Sequence, residues 1–347
     1  MKIGIVGYGT GGRHFHAPFI LAAKNVELSG IVARADITRA KVSADLPDTP
    51  IYNSLTEMIA SGVDAVTIST PPHTRHDLVL ESINAGIHVI ADKPFAPNAA
   101  EARALAIAAK DNGVTLGVYH NRRWDSDVQT LKSVIAGGTL GELWRLHSRM
   151  DLDDPSTIEA GPTGGLLRDL GTHLVDQAIY LLGPVLSVDA QLNNVQLNAG
   201  RTDASFALTL RHENGATSHI SASKMNYVNR RELRLYGSGG SYITQSTDVQ
   251  AQDIFAGKRP TDDRLGWGYE PQSHWGSLNT ANGSTVIPAK QGAYFEYYEA
   301  FERAVRTGAK PPVTALDGVA TLAVLDAARQ SGKTGQVTMV NQEISKF

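Results

Sequence analysis

Lys2-Ile3-Gly4-Ile5-Val6-Gly7-Tyr8-Gly9-Thr10-Gly11-Gly12 is the stretch on which the fold turns. A short apolar run ends in glycine, and Gly7, Gly9 and Gly12 fall at the spacing G-x-G-x-x-G. The first glycine permits a tight turn after a strand. The second lets a pyrophosphate approach the backbone, and the third lets the next helix pack closely on the strand. The N-terminus of that helix then offers free N–H groups to phosphate. The bland alternative is a glycine turn without a ligand. Context favours the cradle, because the motif follows a predicted strand, opens a helix and begins a βαβ unit. Tyr8 and Thr10 lie within the turn and join Gly7, Gly9 and Gly12 as expected cofactor contacts.

Outward from this turn, apolar runs at 26–33, 65–69, 87–91 and 115–119 alternate with helical spacing, as at 77–85 and 99–112. Buried strands alternating with helices predict a doubly wound parallel sheet. Residues 124–136 read as a linking helix stopped by Gly137-Gly138. The pattern then changes. A helix is expected over 165–182, ended by Gly183-Pro184. Strand-like runs without intervening helices at 185–193, 205–211, 218–224 and 232–236 predict an antiparallel sheet. Residues 245–292 read as a long irregular loop, and 293–306 and 316–331 as helices. The expected division is a dinucleotide-binding domain at 1–120 and a substrate-binding and oligomerisation domain at 121–347, its last helix able to pack back on the first domain.

The chain has 347 residues, more than one core usually serves. Its formal net charge of −3 gives no basic field for nucleic acid or an anionic membrane. No apolar run approaches the length of a membrane span. No signal segment is expected ahead of Lys2. Cysteine is absent, which removes disulfides, thiolate metal sites and cysteine nucleophiles and agrees with a cytoplasmic location. The 11 histidines form no clear metal signature, so no metal is expected.

The second strand ends Val32-Ala33-Arg34-Ala35. An enzyme preferring NAD usually has an acidic residue here for the ribose hydroxyls. Ala33 and Arg34 instead favour the 2′-phosphate of NADP, with Arg39 able to help. NAD is the alternative if Arg34 only stacks on adenine or Asp36 reaches the ribose. After the fourth strand comes Ser69-Thr70-Pro71-Pro72-His73. Ligands of doubly wound sheets sit at the carboxyl ends of strands. Ser69, Thr70, Pro71, His73 and His76 are therefore expected at the cofactor, although both histidines also suit a plain helix start.

Two further patterns carry chemistry. Lys93, in Ala91-Asp92-Lys93-Pro94, follows a strand end, where a cation can favour a developing alkoxide. Its ordinary fate would be a surface pair with Asp92. Asp169 and His173, in Leu167-Arg168-Asp169-Leu170-Gly171-Thr172-His173, share one helix face. A histidine can take an alcohol proton as hydride leaves. Alone, such a pair is more often a helix-stabilising contact.

With these motifs the chain resembles the Gfo/Idh/MocA family of glucose–fructose oxidoreductases, inositol dehydrogenases and relatives, over nearly its whole length. The shared elements are the glycine motif, Thr70-Pro71-Pro72-His73, Asp92-Lys93-Pro94 as a version of Glu-Lys-Pro, and Asp169-x-x-x-His173. The run Asn121-Arg122-Arg123-Trp124-Asp125-Ser126-Asp127 is similar to a branch containing NADP-dependent scyllo-inositol dehydrogenases and many uncharacterised oxidoreductases. The resemblance implies a Rossmann domain, then an α/β domain with a large, open, mostly antiparallel sheet that joins subunits into homodimers or homotetramers. It makes His173 the general acid/base. It has Lys93 and Asp169 orient a polyol or sugar, with Lys93 and Asn121 also at the cofactor. It implies a cis Lys93–Pro94 bond.

Arg123, Trp124 and Asp125 are candidate substrate contacts, since a polyol offers hydroxyls to carboxylates and guanidinium donors. Their alternative is structural, with Trp124 as an anchor and the charges in ion pairs. Asp176 is a candidate partner of His173. Trp275, with Trp267, Tyr269 and His274 in the same long segment, could cover a sugar ring or pack the segment down. Tyr294 and Tyr298 are further candidates. Competing readings are sugar chemistry with a retained, recycled cofactor, and a non-catalytic nucleotide sensor.

Overall fold

In the computed structural model, which describes residues 1–161 and 164–341, the N-terminal apolar run is strand β1 (Lys2–Val6), with only Lys2 exposed. Gly7 turns the chain at φ +97°. A π-helical turn, Gly11–His16, then leads into α1 (Ala17–Ala22). The alternation continues through β2 (Glu27–Val32), α2 (Asp36–Asp45), β3 (Ile51–Tyr52) and α3 (Leu55–Ala60). It closes with β4 (Ala65–Ile68), α4 (Pro72–Asn84), β5 (His88–Asp92), α5 (Ala99–Asp111) and β6 (Leu116–Tyr119). The six strands are parallel, in the order β3-β2-β1-β4-β5-β6. The order reverses between β1 and β4, the point where doubly wound sheets bind ligands. β3 has only two residues and escapes the sequence pattern.

The next elements are α6 (Ser126–Ala136), β7 (Leu143–Asp151) and α7 (Leu166–Leu182), followed by strands β8 (Val185–Leu197), β9 (Gly200–His212), β10 (Thr217–Ser223), β11 (Arg230–Gly237) and β12 (Ser241–Ser246). The expected loop at 245–292 is a correction. It contains α8 (Val249–Phe255) and a hairpin of β13 (Gly276–Thr280) and β14 (Gly283–Ile287). The hairpin strands carry mostly glycine, serine, threonine and asparagine, so no apolar alternation announces them. Then come α9 (Phe295–Thr307), α10 (Ala315–Thr334) and β15 (Thr338–Met339).

The second sheet has nine strands, in the order β14-β13-β12-β11-β7-β10-β9-β8-β15. It is antiparallel except where β7 runs parallel to β10. Along β7, Leu146, Ser148 and Met150 are buried on the side that α7 covers, while Arg145, His147 and Arg149 alternate to the open face.

The chain forms two compact units. The first holds Met1–Asn121, Gln250–Trp267 and Ala293–Val319, and the second holds the remainder of the described chain. The first segment of the first unit ends at Asn121, and the chain beyond it is divided between the two units. The physical reason is aromatic. Tyr297 and Tyr298 of α9 are fully buried with rings 5.0 and 5.5 Å from that of Tyr119 at the end of β6. Tyr294 and Trp267 close on Phe19 of α1, at 5.0 and 5.9 Å. Aromatic contacts of this kind add to the area they bury. Among the described residues no helix is long and apolar enough to cross a membrane.

Candidate active site

The glycine turn fits a dinucleotide by its shape. A Cβ on Gly12 would collide with the carbonyl oxygen of Gly7, so the helical turn packs on the strand only with glycine there. A Cβ on Gly9 would meet open space, leaving the backbone approachable from outside. Thr10 caps the helical turn with no side-chain bond. Tyr8 is buried, and its hydroxyl donates to Asp45 at the end of α2 (3.2 Å). Arg13 clasps the same carboxylate at 2.6 and 2.9 Å. The phosphate-binding turn is thereby tied to α2.

At the end of β2, Ala33 is buried and Arg34 is exposed. Asp36 is exposed as the first residue of α2. Arg39 donates to the Ala33 carbonyl (3.0 Å) and to Asn53 (3.1 Å). It fastens the β2–α2 turn.

Lys93 directly follows β5, and its bond to Pro94 is cis, as the motif implied. Arg75, on α4, holds this corner and was not foreseen. Its guanidinium donates to the carbonyls of Thr70 (2.7 Å), Lys93 (2.5 Å) and Pro94 (3.1 Å). The Asp92 carboxylate accepts from the Lys93 amide (2.8 Å) and the Ser69 hydroxyl (3.0 Å). Arg75 and His16 lie 3.5 and 3.4 Å from it. Burial alone would raise the Asp92 carboxyl, but Arg75, His16 and Lys93 hold it well below the usual carboxylate range. Asp92 is therefore an anchor for the backbone of Lys93. Thr70 is half-buried beside this corner, Pro71 and His73 are exposed, and His76 leans on Asp77 (3.1 Å). Asn121 is buried at the end of the first unit.

In the second unit, Asp169 and His173 lie one turn apart on α7. The helix start is fixed by Asp203 of β9, whose carboxylate accepts from the Leu167 amide (2.5 Å). A carboxylate there satisfies a helix N–H and the helix dipole. Leu166, Leu170 and Leu174 are buried. From 165 to 178 every residue is buried except Asp169. Lys224, just past β10, places Nζ 2.9 Å from Asp169 Oδ2. Fifty-five positions separate the two, and no local pattern couples them.

Asp176 is bound by Arg123 through two hydrogen bonds, at 2.9 and 2.7 Å, both side chains being buried. Gln177 donates to the Arg122 carbonyl (3.1 Å), and the Arg123 guanidinium lies 4.7 Å from the centre of the Tyr180 ring. Arg123 thus holds α7 in place, the structural role given above as its alternative, with Asp176 as its partner. Trp124 is half-buried. Asp125 pairs with Arg231 (2.5 Å) and Arg122 (3.4 Å), in keeping with the ion-pair alternative. Arg231 further grips Asp127 (2.8 Å), which accepts from the Ser246 hydroxyl (2.6 Å). Arg231→Met would strand two buried carboxylates, and we expect it to cost about 3–5 kcal/mol, read as a lowered Tm.

The long-segment aromatics divide. Trp267 is buried and donates to Gln250 (3.1 Å); Trp275 is half-buried and donates to the Glu270 carbonyl (3.1 Å). His274 lies 3.4 Å from Glu270, and Tyr269 is exposed. Tyr294 and Tyr298 are fully buried, so neither offers a surface to substrate. The Tyr298 hydroxyl instead lies 2.6 Å from His16 Nδ1.

Residues 1–120 match the family described as "Oxidoreductase family, NAD-binding Rossmann fold", and residues 128–243 match the "GFO/IDH/MocA C-terminal domain". The scyllo-inositol 2-dehydrogenase (NADP(+)) IolW of Bacillus subtilis (strain 168) is 31% identical over 350 residues, covering 98% of this chain and 96% of that protein. The chain belongs to the Gfo/Idh/MocA family. Another relative, the inositol 2-dehydrogenase of Rhizobium meliloti (strain 1021), is 27% identical over 278 residues, covering 78% of this chain and 79% of that protein. Among solved structures, the oxidoreductase yvaA from Bacillus subtilis aligns with a TM-score of 0.88 at 31% identity, covering 98% and 99% of the two chains. As a Gfo/Idh/MocA member, the protein is an oxidoreductase with an NAD-binding Rossmann domain.

Proposed function

We propose that the protein oxidises a secondary alcohol of a cyclic polyol or sugar, of the inositol kind, and reduces the corresponding ketone. It does so with NADP in preference to NAD, as a cytoplasmic homodimer or homotetramer. The observation that carries this reading is the Asp169–His173 pair on α7, set into a helix otherwise buried from 165 to 178. A solvated, helix-stabilising pair has no need of such a setting.

A nicotinamide cofactor held by the glycine turn supplies the hydride acceptor or donor. His173 takes the substrate hydroxyl proton on a ring nitrogen during oxidation and returns it during reduction. Asp169 accepts a hydrogen bond from a substrate hydroxyl and keeps it in line. Lys93 donates to the reacting oxygen and favours its developing negative charge. Arg75 and Asp92 position Lys93 through its backbone. The open face of the nine-stranded sheet, with Arg145, His147 and Arg149 on β7, supports association between copies.

Exposed Arg34 and the absence of a carboxylate at Ala33 support NADP, as does the NADP(+) in the name of the Bacillus relative. A charged hydrogen-bond donor lost from a phosphate costs roughly 10- to 100-fold in affinity. Arg34→Ala is therefore expected to raise the Kd for NADP by that factor and to leave the Kd for NAD within about threefold. Titration of both cofactors tests this. Equal weakening of both would remove Arg34 as the reader of the 2′-phosphate.

A further inference from the structure

We propose that Lys224 is a specificity-determining residue: paired with Asp169, it reads the hydroxyl beside the carbon being oxidised. The inference rests on the polyol reading above. The Asp169 side chain is 44% exposed, whereas that of Lys224 is 8% exposed, and they meet at 2.9 Å. Lysine is almost never buried unless paired, and burying a charged pair is a poor way to gain stability. A buried lysine under the one open residue of a buried helix stretch therefore points to recognition.

The ammonium has three N–H groups. Among the described residues one serves Asp169, and one reaches the Thr157 carbonyl only at 3.5 Å. The pair thus presents an acceptor and a donor side by side. The hydroxyl on the carbon beside the one oxidised can donate its O–H to the Asp169 carboxylate while its oxygen accepts from Lys224 Nζ. A vicinal diol, or the hydroxyketone it becomes, satisfies both groups. A lone alcohol or ketone leaves both groups unmatched, and unmatched polar groups at a binding site are what reject an analogue.

The test uses the full-length protein with NADPH, reducing 2-hydroxycyclohexanone, cyclohexanone and the monoketone of scyllo-inositol. The two small ketones differ by one hydroxyl. Wild type is expected to favour the hydroxyketone by on the order of 30- to 100-fold in kcat/KM. In Lys224→Met and Lys224→Gln that preference falls to within about threefold, while Lys224→Arg keeps most of it. Equal loss on both small ketones in Lys224→Met and Lys224→Gln, with the ratio intact, makes Lys224 purely structural and overturns the inference. So does a wild type that reduces the inositol ketone but shows no preference between the small ketones. A wild type inert toward all three overturns the polyol reading, and this inference falls with it.

Discussion

Replacing His173 by alanine is expected to lower kcat for polyol oxidation by roughly 10²- to 10⁴-fold, the usual contribution of a positioned general acid/base. Cofactor affinity should stay within a few-fold, because His173 belongs to the second compact unit and the glycine turn to the first. The effect should fall on kcat more than on KM, since the proton moves in the transition state. His173 is buried, so alanine leaves a small void in α7. His173→Asn, which keeps more of the volume, separates packing from chemistry. If both variants melt like wild type and both lose turnover, the loss is chemical. Wild-type turnover in either one removes His173 as the acid/base.

The second large effect is expected at Lys93. Lys93→Ala should reduce kcat by about 10²- to 10³-fold, the range for deleting one donor to a developing oxyanion. The backbone around it is held independently of the side chain. Arg75 binds the Lys93 and Pro94 carbonyls, and Asp92 binds the Lys93 amide. The corner should therefore survive the truncation, and cofactor titration should show it intact. If the two groups act together as proposed, joining Lys93→Ala to His173→Ala should cost less than the product of the single losses. Full multiplicative loss would indicate that they serve separate steps.

The sequence disclosed the parts that depend on short-range spacing. Gly7, Gly9 and Gly12 announce their turn within a few residues, and Leu166, Leu170 and Leu174 announce the buried face of α7. Lys93-Pro94 and Asp169-x-x-x-His173 are local too. What escaped depends on pairings across the chain. Asp176 reads locally as a neighbour of His173, yet its charge is met by Arg123, 53 positions away. Asp125 reads as a polyol ligand until Arg231 arrives 106 positions later. Arg75 and Lys224 look like ordinary surface cations until the sheet and helix bring backbone carbonyls and Asp169 to them. The β13–β14 hairpin turns at Ala281-Asn282, and only Asn282 there is a usual turn residue. Its polar strands outweighed that single residue.

The central claim is hydride transfer between nicotinamide and a cyclic polyol or sugar. Nicotinamide absorbance tests it most directly, with the purified full-length protein, NADP or NAD, and a panel of inositols, aldoses and their keto derivatives. We predict reduction of NADP by an inositol-like polyol, faster than reduction of NAD, and oxidation of NADPH by the matching ketone. Tight binding of both cofactors with no absorbance change for any polyol, sugar or ketone would contradict it.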